Sequence, residues 1–307
     1  MPSSDVYDPP ALKPGTLRII PLGGLGEVGK NMMVYESEGE IVVVDAGLAF
    51  PRDEHLGVDL VLPDFSYLED QPLLAIVLTH GHEDHVGALP YVLREVEVGE
   101  VLATKLTLAM VKSKLDEHKL GASTKLRESE PDGDGIQIGP FKLEFVRMAH
   151  SIPDCVAIVI ETPAGRVLHT GDWKLDHTPV DGLKTDVGRL AELGNQGVDL
   201  LLGDSTNAER PGMTGSERLV GEAFELVELG DHSLKGFSEP VQAWRIAGLG
   251  RSEDRFEAIH GRRLTPFVGR EEEVALLLRR WRQAQEGEGQ VVLLSGEPGI
   301  GKSRLLQ

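Results

Sequence analysis

The chain has 307 residues and a single cysteine, Cys155. One thiol excludes an internal disulfide framework and fits a reducing compartment, so a cytoplasmic location is expected. In that setting Cys155 reads as a small buried hydrophobe. No apolar run approaches the roughly 20 residues that a membrane-spanning helix needs, so no membrane partner is expected. Residues 1–15 are polar and Pro-rich, without the charged-then-apolar pattern of a secretory leader. They read as a disordered lead. No internal repeat is present. Basic charge is also short, with 31 Lys and Arg against 50 Asp and Glu and a net charge of −19. The deficit lies in residues 1–224, which hold 19 basic and 37 acidic side chains; residues 225–307 hold 12 and 13. Such a balance argues against broad nonspecific nucleic-acid binding but allows a local basic channel. Bound divalent ions would offset part of it.

What is abundant is glycine, at 36 residues, set between short apolar runs. The pattern predicts strands over Thr16–Leu22, Asn31–Tyr35, Ile41–Val44, Leu73–Leu78, Phe141–Arg147, Val156–Glu161, Arg166–His169 and Val198–Leu202. Glu38-Gly39 and Pro163-Ala164-Gly165 supply turns. Helices are expected over Val86–Arg94, Leu106–His118 and Val187–Leu193, with a helix start at Ser216–Phe224. Many strands with interspersed helices suggest an α/β (α+β) protein of the αββα sandwich type.

The most telling segment is Thr79-His80-Gly81-His82-Glu83-Asp84-His85, which follows the fourth apolar run. Four metal-capable side chains, His80, His82, Asp84 and His85, lie within six residues. Neutral imidazoles and carboxylates suit zinc. His80 and His82, two apart in extended chain, point the same way and can share an ion. Asp84 and His85, at a helix start, can face a second. Three other strand ends carry ligand-type residues: Asp45, His150 and Asp172. A carboxylate such as Asp172 can bridge two ions through its two oxygens. Two ions at roughly 3.5–4 Å can clamp a phosphoryl or acyl oxygen. Asp45 can orient a ligand histidine from behind, or simply make the Asp-Ala-Gly turn.

His80-x-His82-x-Asp84-His85, His150 and the Asp172 turn resemble the motifs of the metallo-β-lactamase fold. Leu22–Asn31, Asp45–Leu48, Leu56–Asp59, His82–His85, His150–Asp154 and Gly203–Asn207 resemble ribonuclease J of the β-CASP group, from Thr16 to Phe224. The resemblance implies a two-zinc phosphodiesterase, with Mn²⁺ as the alternative metal, that cleaves RNA as 5′→3′ exonuclease and endonuclease. His80, His82 and His150 would hold the first ion, Asp84 and His85 the second, and Asp172 would bridge. Asp84, His85 and Asp172 would thus carry the chemistry, in-line attack of a metal-bridging hydroxide on phosphorus. Asp204 matches the acidic first motif of the β-CASP insertion. The likeness ends at the entrance to that insertion. The later histidine that would complete the second ion's site, the phosphate-gripping motif and the closing strands are missing from it. The second ion is therefore expected to bind weakly or to take extra water, and activity is in question. The expected division is a metallo-β-lactamase-like portion at 16–203 and the β-CASP start at 204–224.

Beyond Phe224 the character changes. Residues 225–246 form a short turn-rich piece with strand-like ends; Leu229–Val241 resembles the last strands of a class III adenylate cyclase. Residues 247–265 read as a linker. Glu271–Glu286 predicts a helix, with Val274, Leu277, Leu278 and Trp281 on one face. Val291–Ser295 predicts a strand running into Gly296-Glu297-Pro298-Gly299-Ile300-Gly301-Lys302-Ser303, a P-loop pattern. Residues 266–307 resemble the opening of an AAA-type ATPase, in which Gly296, Gly299, Gly301, Lys302 and Ser303 would cradle ATP and Mg²⁺. The seating helix has hardly begun and the acidic metal-binding strand is missing, so stable ATP binding is not expected. Two incomplete genes joined near Phe224–Glu225, by an assembly artefact or a recombination, fit this better than an evolved fusion. The competing readings are a nucleotide-binding signalling fragment and a non-catalytic zinc-binding chimera. A small-molecule metallohydrolase would share the His80–His85 run, but the Asp204 segment argues against it.

Overall fold

The computed structural model describes residues 9–51, 56–179, 181–209, 211, 224–232, 241–249, 271–285 and 292. It divides into two compact units, Met1–Arg218 with Leu229–Ala243, and Leu219–Glu228 with Trp244–Gln307.

The first unit holds two sheets. One has the order β1 (Leu17–Gly23), β2 (Met32–Ser37), β3 (Glu40–Val44), β4 (Leu73–Val77), β5 (Val98–Ala103), β6 (Leu126–Glu128). The other runs β11 (Leu200–Leu202), β10 (Gly165–His169), β9 (Val156–Thr162), β8 (Phe141–Arg147), β7 (Ile136–Ile138). Their helices are α1 (Glu83–Val86), α2 (Leu89–Glu95), α3 (Lys105–Glu117) and α4 (Val187–Gln196).

Side-chain alternation along the strands builds the layers. Val34, Val43, Ile76 and Val101 point away from the second sheet and pack with Leu89, Val92, Val111 and Leu115 of α2 and α3. Their neighbours Tyr35, Val42, Val77 and Leu102 point the other way, onto Phe141, Phe145, Ile158 and Ile160. Ala157, Val159 and Leu168 then face Leu193 of α4. The result is a four-layer αββα sandwich, as the sequence pattern suggested.

Strand direction places the functional residues. β3, β4 and β5 run parallel, so their C-terminal ends share one edge. β8 and β10 are both antiparallel to β9, and β11 is parallel to β10, so these three also end together. The two edges meet where the Val156 N–H donates to the Thr79 carbonyl at 3.1 Å. In open α/β sheets the crevice beyond the carboxyl ends of the strands is where ligands bind.

Several elements differ from the expectation. The single helix over Val86–Arg94 is two: Gly87 ends α1, and Pro90 opens α2 from its first turn, where a missing N–H costs nothing. A side chain at Gly87 would meet Leu48 at 2.4 Å. The sequence reading missed β5, β6 and β7. Within β5 the buried Glu100 breaks the apolar signal; it is held by Lys125 at 2.8 Å and Arg127 at 3.1 Å, partners visible only in the fold. β6 and β7 have three residues each, too few for periodicity to register. Phe224 opens strand β12 (Phe224–His232), which pairs with β13 (Val241–Leu249) in a separate sheet. The expected linker at 247 therefore begins inside β13. Helix α5 (Glu271–Gln285) forms as expected. The rest of the expected helix start at 216–223, the strand at 291–295 save residue 292, and the whole P-loop with Gly296, Gly299, Gly301, Lys302 and Ser303 lie outside the described residues.

Phe141 is fully buried between the two sheets. Phe141→Ala should therefore lower unfolding free energy by about 3–5 kcal/mol in urea titration. A loss below about 1 kcal/mol would contradict a shared inter-sheet core.

Candidate metal centre

Chain geometry at the end of β3 makes the first half of the site. Asp45 has φ of +62°, a left-handed conformation that Asp tolerates better than most residues. Its N–H donates to Val77 O at 2.9 Å, which holds the turn. The chain then runs along α1: Ala46 N–H donates to His85 O at 2.8 Å and Leu48 N–H to Glu83 O at 3.1 Å. Gly47 is required there, since a Cβ would lie 1.6 Å from Asp84 O. Asn31 joins this bundle, its N–H donating to Asp84 O at 3.1 Å and its carbonyl accepting from Gly47 N–H at 2.9 Å.

Five of the six candidate residues converge at the common edge, and Asp84 is in neither group of clustered ligand atoms. His80 is fully buried. Its Nε2 lies 3.0 Å from His82 Nδ1, which lies 3.3 Å from His150 Nε2. The ligand atoms of His80, His82 and His150 form one group within 4.8 Å, and those of His80, His85 and Asp172 form another. His80 thus belongs to both groups, where the sequence reading gave it to the first alone. Asp172 reaches both sides, with Oδ1 3.4 Å from His85 Nε2 and Oδ2 3.6 Å from His150 Nε2. Asp84 stands at the rim, its Oδ2 3.8 Å from His85 Nε2. Asp204 is not among the clustered ligand atoms; its Oδ1 accepts from Thr206 N–H at 2.7 Å and closes a turn after β11.

Behind the ligands Asp45 is almost wholly buried. Besides the turn, its side chain contacts the ligand loop. Its Oδ2 lies 2.7 Å from His85 Nδ1, and its Oδ1 accepts the Thr79 N–H at 2.8 Å. Two neighbours escaped sequence reasoning. Thr79 carries no metal-type atom, and Asn31, whose Nδ2 is 3.1 Å from His85 Nε2, sits 54 residues away in sequence.

The electrostatics suit a cation. Burial, with the neighbouring His85, His82 and His150, drives the His80 imidazole well below its usual range, so it stays neutral with a free lone pair. His150 is lowered too, chiefly by burial. At His85 burial also opposes charge, but Asp45 and Asp172 outweigh it and push the group up to about 10. Burial raises Asp172, yet His85, His150 and His82 prevail and hold its carboxyl below the usual range, hence ionised. The pocket therefore favours positive charge around His85 and lone pairs at His80 and His150. Facing ring nitrogens at 3.0–3.3 Å, beside the ionised Asp172 carboxyl, fit divalent metal. The donors are nitrogen and oxygen only. Cys155 is buried, its thiol pushed up by burial and donating to Ile152 O at 3.1 Å, in keeping with its reading as a small core residue.

Asp45→Asn would present an amide N–H to His85 Nδ1 and move that ring's proton to the ligand nitrogen. Retained divalent metal after dialysis, read by elemental analysis, should show affinity reduced about 10–100-fold. Retention equal to the unaltered chain would contradict the orienting role of Asp45.

Residues 25–202 match the family model of the Metallo-beta-lactamase superfamily, and residues 266–307 that of an AAA ATPase domain. The chain is 45% identical over 212 residues to Ribonuclease J of Helicobacter pylori, an alignment covering 68% of this chain and 31% of that protein. Against Ribonuclease J of Corynebacterium glutamicum it is 46% identical over 232 residues, 72% and 32% of the two chains. Against that of Mycolicibacterium smegmatis it is 45% identical over 222 residues, 71% and 39%. The chain therefore spans about a third of the length of these curated relatives. A crystal structure of a protein of unknown function from Enterococcus faecalis V583 shares the fold, with TM-score 0.50 and 17% identity over 66% of this chain and 53% of that one. With the family match embracing strands β2 to β11 and every clustered ligand, the chain belongs to the metallo-beta-lactamase superfamily.

Proposed function

We propose that this chain carries the metal centre of an RNA hydrolase of the ribonuclease J kind. The observation that carries the reading is the coincidence of two things in one segment. The chain is 45% identical to ribonuclease J over 212 residues, and the metallo-beta-lactamase match at 25–202 contains every one of the convergent His and Asp ligands. A small-molecule hydrolase would share the ligands but not that identity. The AAA ATPase match leaves the reading untouched, since none of the six candidate ligands lies in 266–307.

In this reading His80, His82 and His150 would hold one ion, Asp84 and His85 a second, with Asp172 shared between them; the metal would be Zn²⁺, or Mn²⁺ in its place. When bound, the pair supplies Lewis acidity toward a phosphoryl oxygen and lowers the pKa of water. The chain's own part is orientation and exclusion. Burial of His80 keeps its ring neutral and its lone pair available. Asp45 retains the proton on His85 Nδ1, leaving Nε2 as the ligand atom. Ionised Asp172 offers one oxygen to each side. The acidic balance of the first 224 residues denies RNA a broad electrostatic hold, so cleavage depends on local contacts at the crevice. The substrate is single-stranded RNA, attacked in line at phosphorus, both from the 5′ end and internally.

A 5′-monophosphorylated single-stranded RNA tests this, with Zn²⁺ or Mn²⁺ and a His82→Ala variant beside it. Cleavage by the unaltered chain, falling more than about 100-fold in the variant, is expected. Metal-loaded, soluble protein that leaves RNA intact, or that hydrolyses a chromogenic lactam instead, would overturn the reading.

A further inference from the structure

Thr79 lies between Asp45 and two imidazoles, yet it is not a ligand. Its Oγ1 is 2.9 Å from Asp45 Oδ2, 3.1 Å from Asp45 Oδ1 and 3.0 Å from His80 Nδ1. All of these groups are buried: Asp45 and Thr79 are 1% exposed and His80 is 0%. Water therefore does not compete for these bonds.

We propose that Thr79 relays the hydrogen-bonding demand of Asp45 to His80, so that one buried carboxylate fixes the tautomers of two ligand histidines. The inference rests on the metal-centre reading above and deepens it. A carboxylate only accepts, whereas a hydroxyl has one proton to give. Were that proton turned toward His80, hydroxyl lone pairs would face both carboxylate oxygens at 2.9 and 3.1 Å. The proton goes to Asp45, and the hydroxyl then offers only lone pairs to His80 Nδ1. His80 must hold its proton on Nδ1 to make the bond, which leaves Nε2 bare. Asp45 imposes the same order directly on His85, whose Nδ1 is 2.7 Å from Oδ2. The nitrogens left for metal are His80 Nε2, which faces His82, and His85 Nε2, which faces Asp172. His80 Nε2 serves the first ion and His85 Nε2 the second, so Asp45 orders one histidine of each, through Thr79 in one case and directly in the other.

The fold holds the relay in register. Gly171, at φ +57°, lies against Thr79: a Cβ there would be 2.9 Å from Thr79 Cβ and 3.1 Å from Cγ2. The methyl group is thus packed on the turn that precedes Asp172, and the Thr79 carbonyl accepts from Val156 N–H at 3.1 Å. One residue therefore links the Asp45 turn, both histidines and the Asp172 turn.

Two measurements on the full chain test this. The first is the imidazole ¹⁵N spectrum of the metal-free protein. His80 as the Nδ1–H tautomer is expected; an Nε2–H tautomer would overturn the relay, whatever the metal results. The second is Zn²⁺ affinity by competition with a chromophoric chelator. Thr79→Val keeps the shape and removes the hydroxyl, and should bind about 10–100-fold more weakly, whereas Thr79→Ser should stay within about threefold of the unaltered chain. Equal affinity in Thr79→Val would contradict the relay. If the unaltered chain takes up no Zn²⁺, the metal-centre reading fails instead, and the tautomer still decides the relay.

Discussion

The site depends on one buried carboxylate. Asp45 has almost no exposed surface, and its two oxygens are satisfied by Thr79 and His85. A polar group buried in that position costs free energy unless its acceptor sites are matched by donors. The surrounding chain meets that condition with an N–H, a hydroxyl and an imidazole. Each of those donors belongs to the loop that carries the ligands. Satisfying the buried Asp45 oxygens and aiming the ligands are therefore the same structural event.

The sandwich turns that local constraint into a two-sided centre. Parallel strands β3 and β4 deliver Asp45 and the Thr79–His85 loop to one edge, and β8 and β10 deliver His150 and Asp172 to the matching edge of the second sheet. Neither sheet alone holds a complete ligand group. The interleaved core around Phe141, Ile158 and Val77 keeps the two edges in register. Interiors packed at crystal-like density transmit small shifts, so packing errors deep in the sandwich should reach the ligand geometry.

Much of this was legible in the sequence. Four metal-type residues in six, after an apolar run, announce a site at a strand end, and His150 and Asp172 follow further strands whose limits the pattern predicts closely. Less legible was what depends on tertiary pairing. Glu100 looks like a surface residue until Lys125 and Arg127 are seen beside it, which hid β5. The break between α1 and α2 was written in Gly87 and Pro90, but the apolar periodicity ran through it. Membership of His80 in both ligand groups, and the place of Thr79 behind it, follow from how the loop folds back on Asp45. No spacing rule carries that information.

X-ray absorption at the zinc edge of the purified, zinc-loaded chain tests the central claim most directly. The claim is a paired centre built from imidazole and carboxylate at the joined edges of the two sheets. The account expects a first shell of nitrogen and oxygen only, with imidazole multiple scattering and a metal–metal vector at roughly 3.5–4 Å. A sulfur scatterer at about 2.3 Å would place the ion at Cys155, and a shell without imidazole would place it elsewhere on the acidic surface. Either would contradict the account.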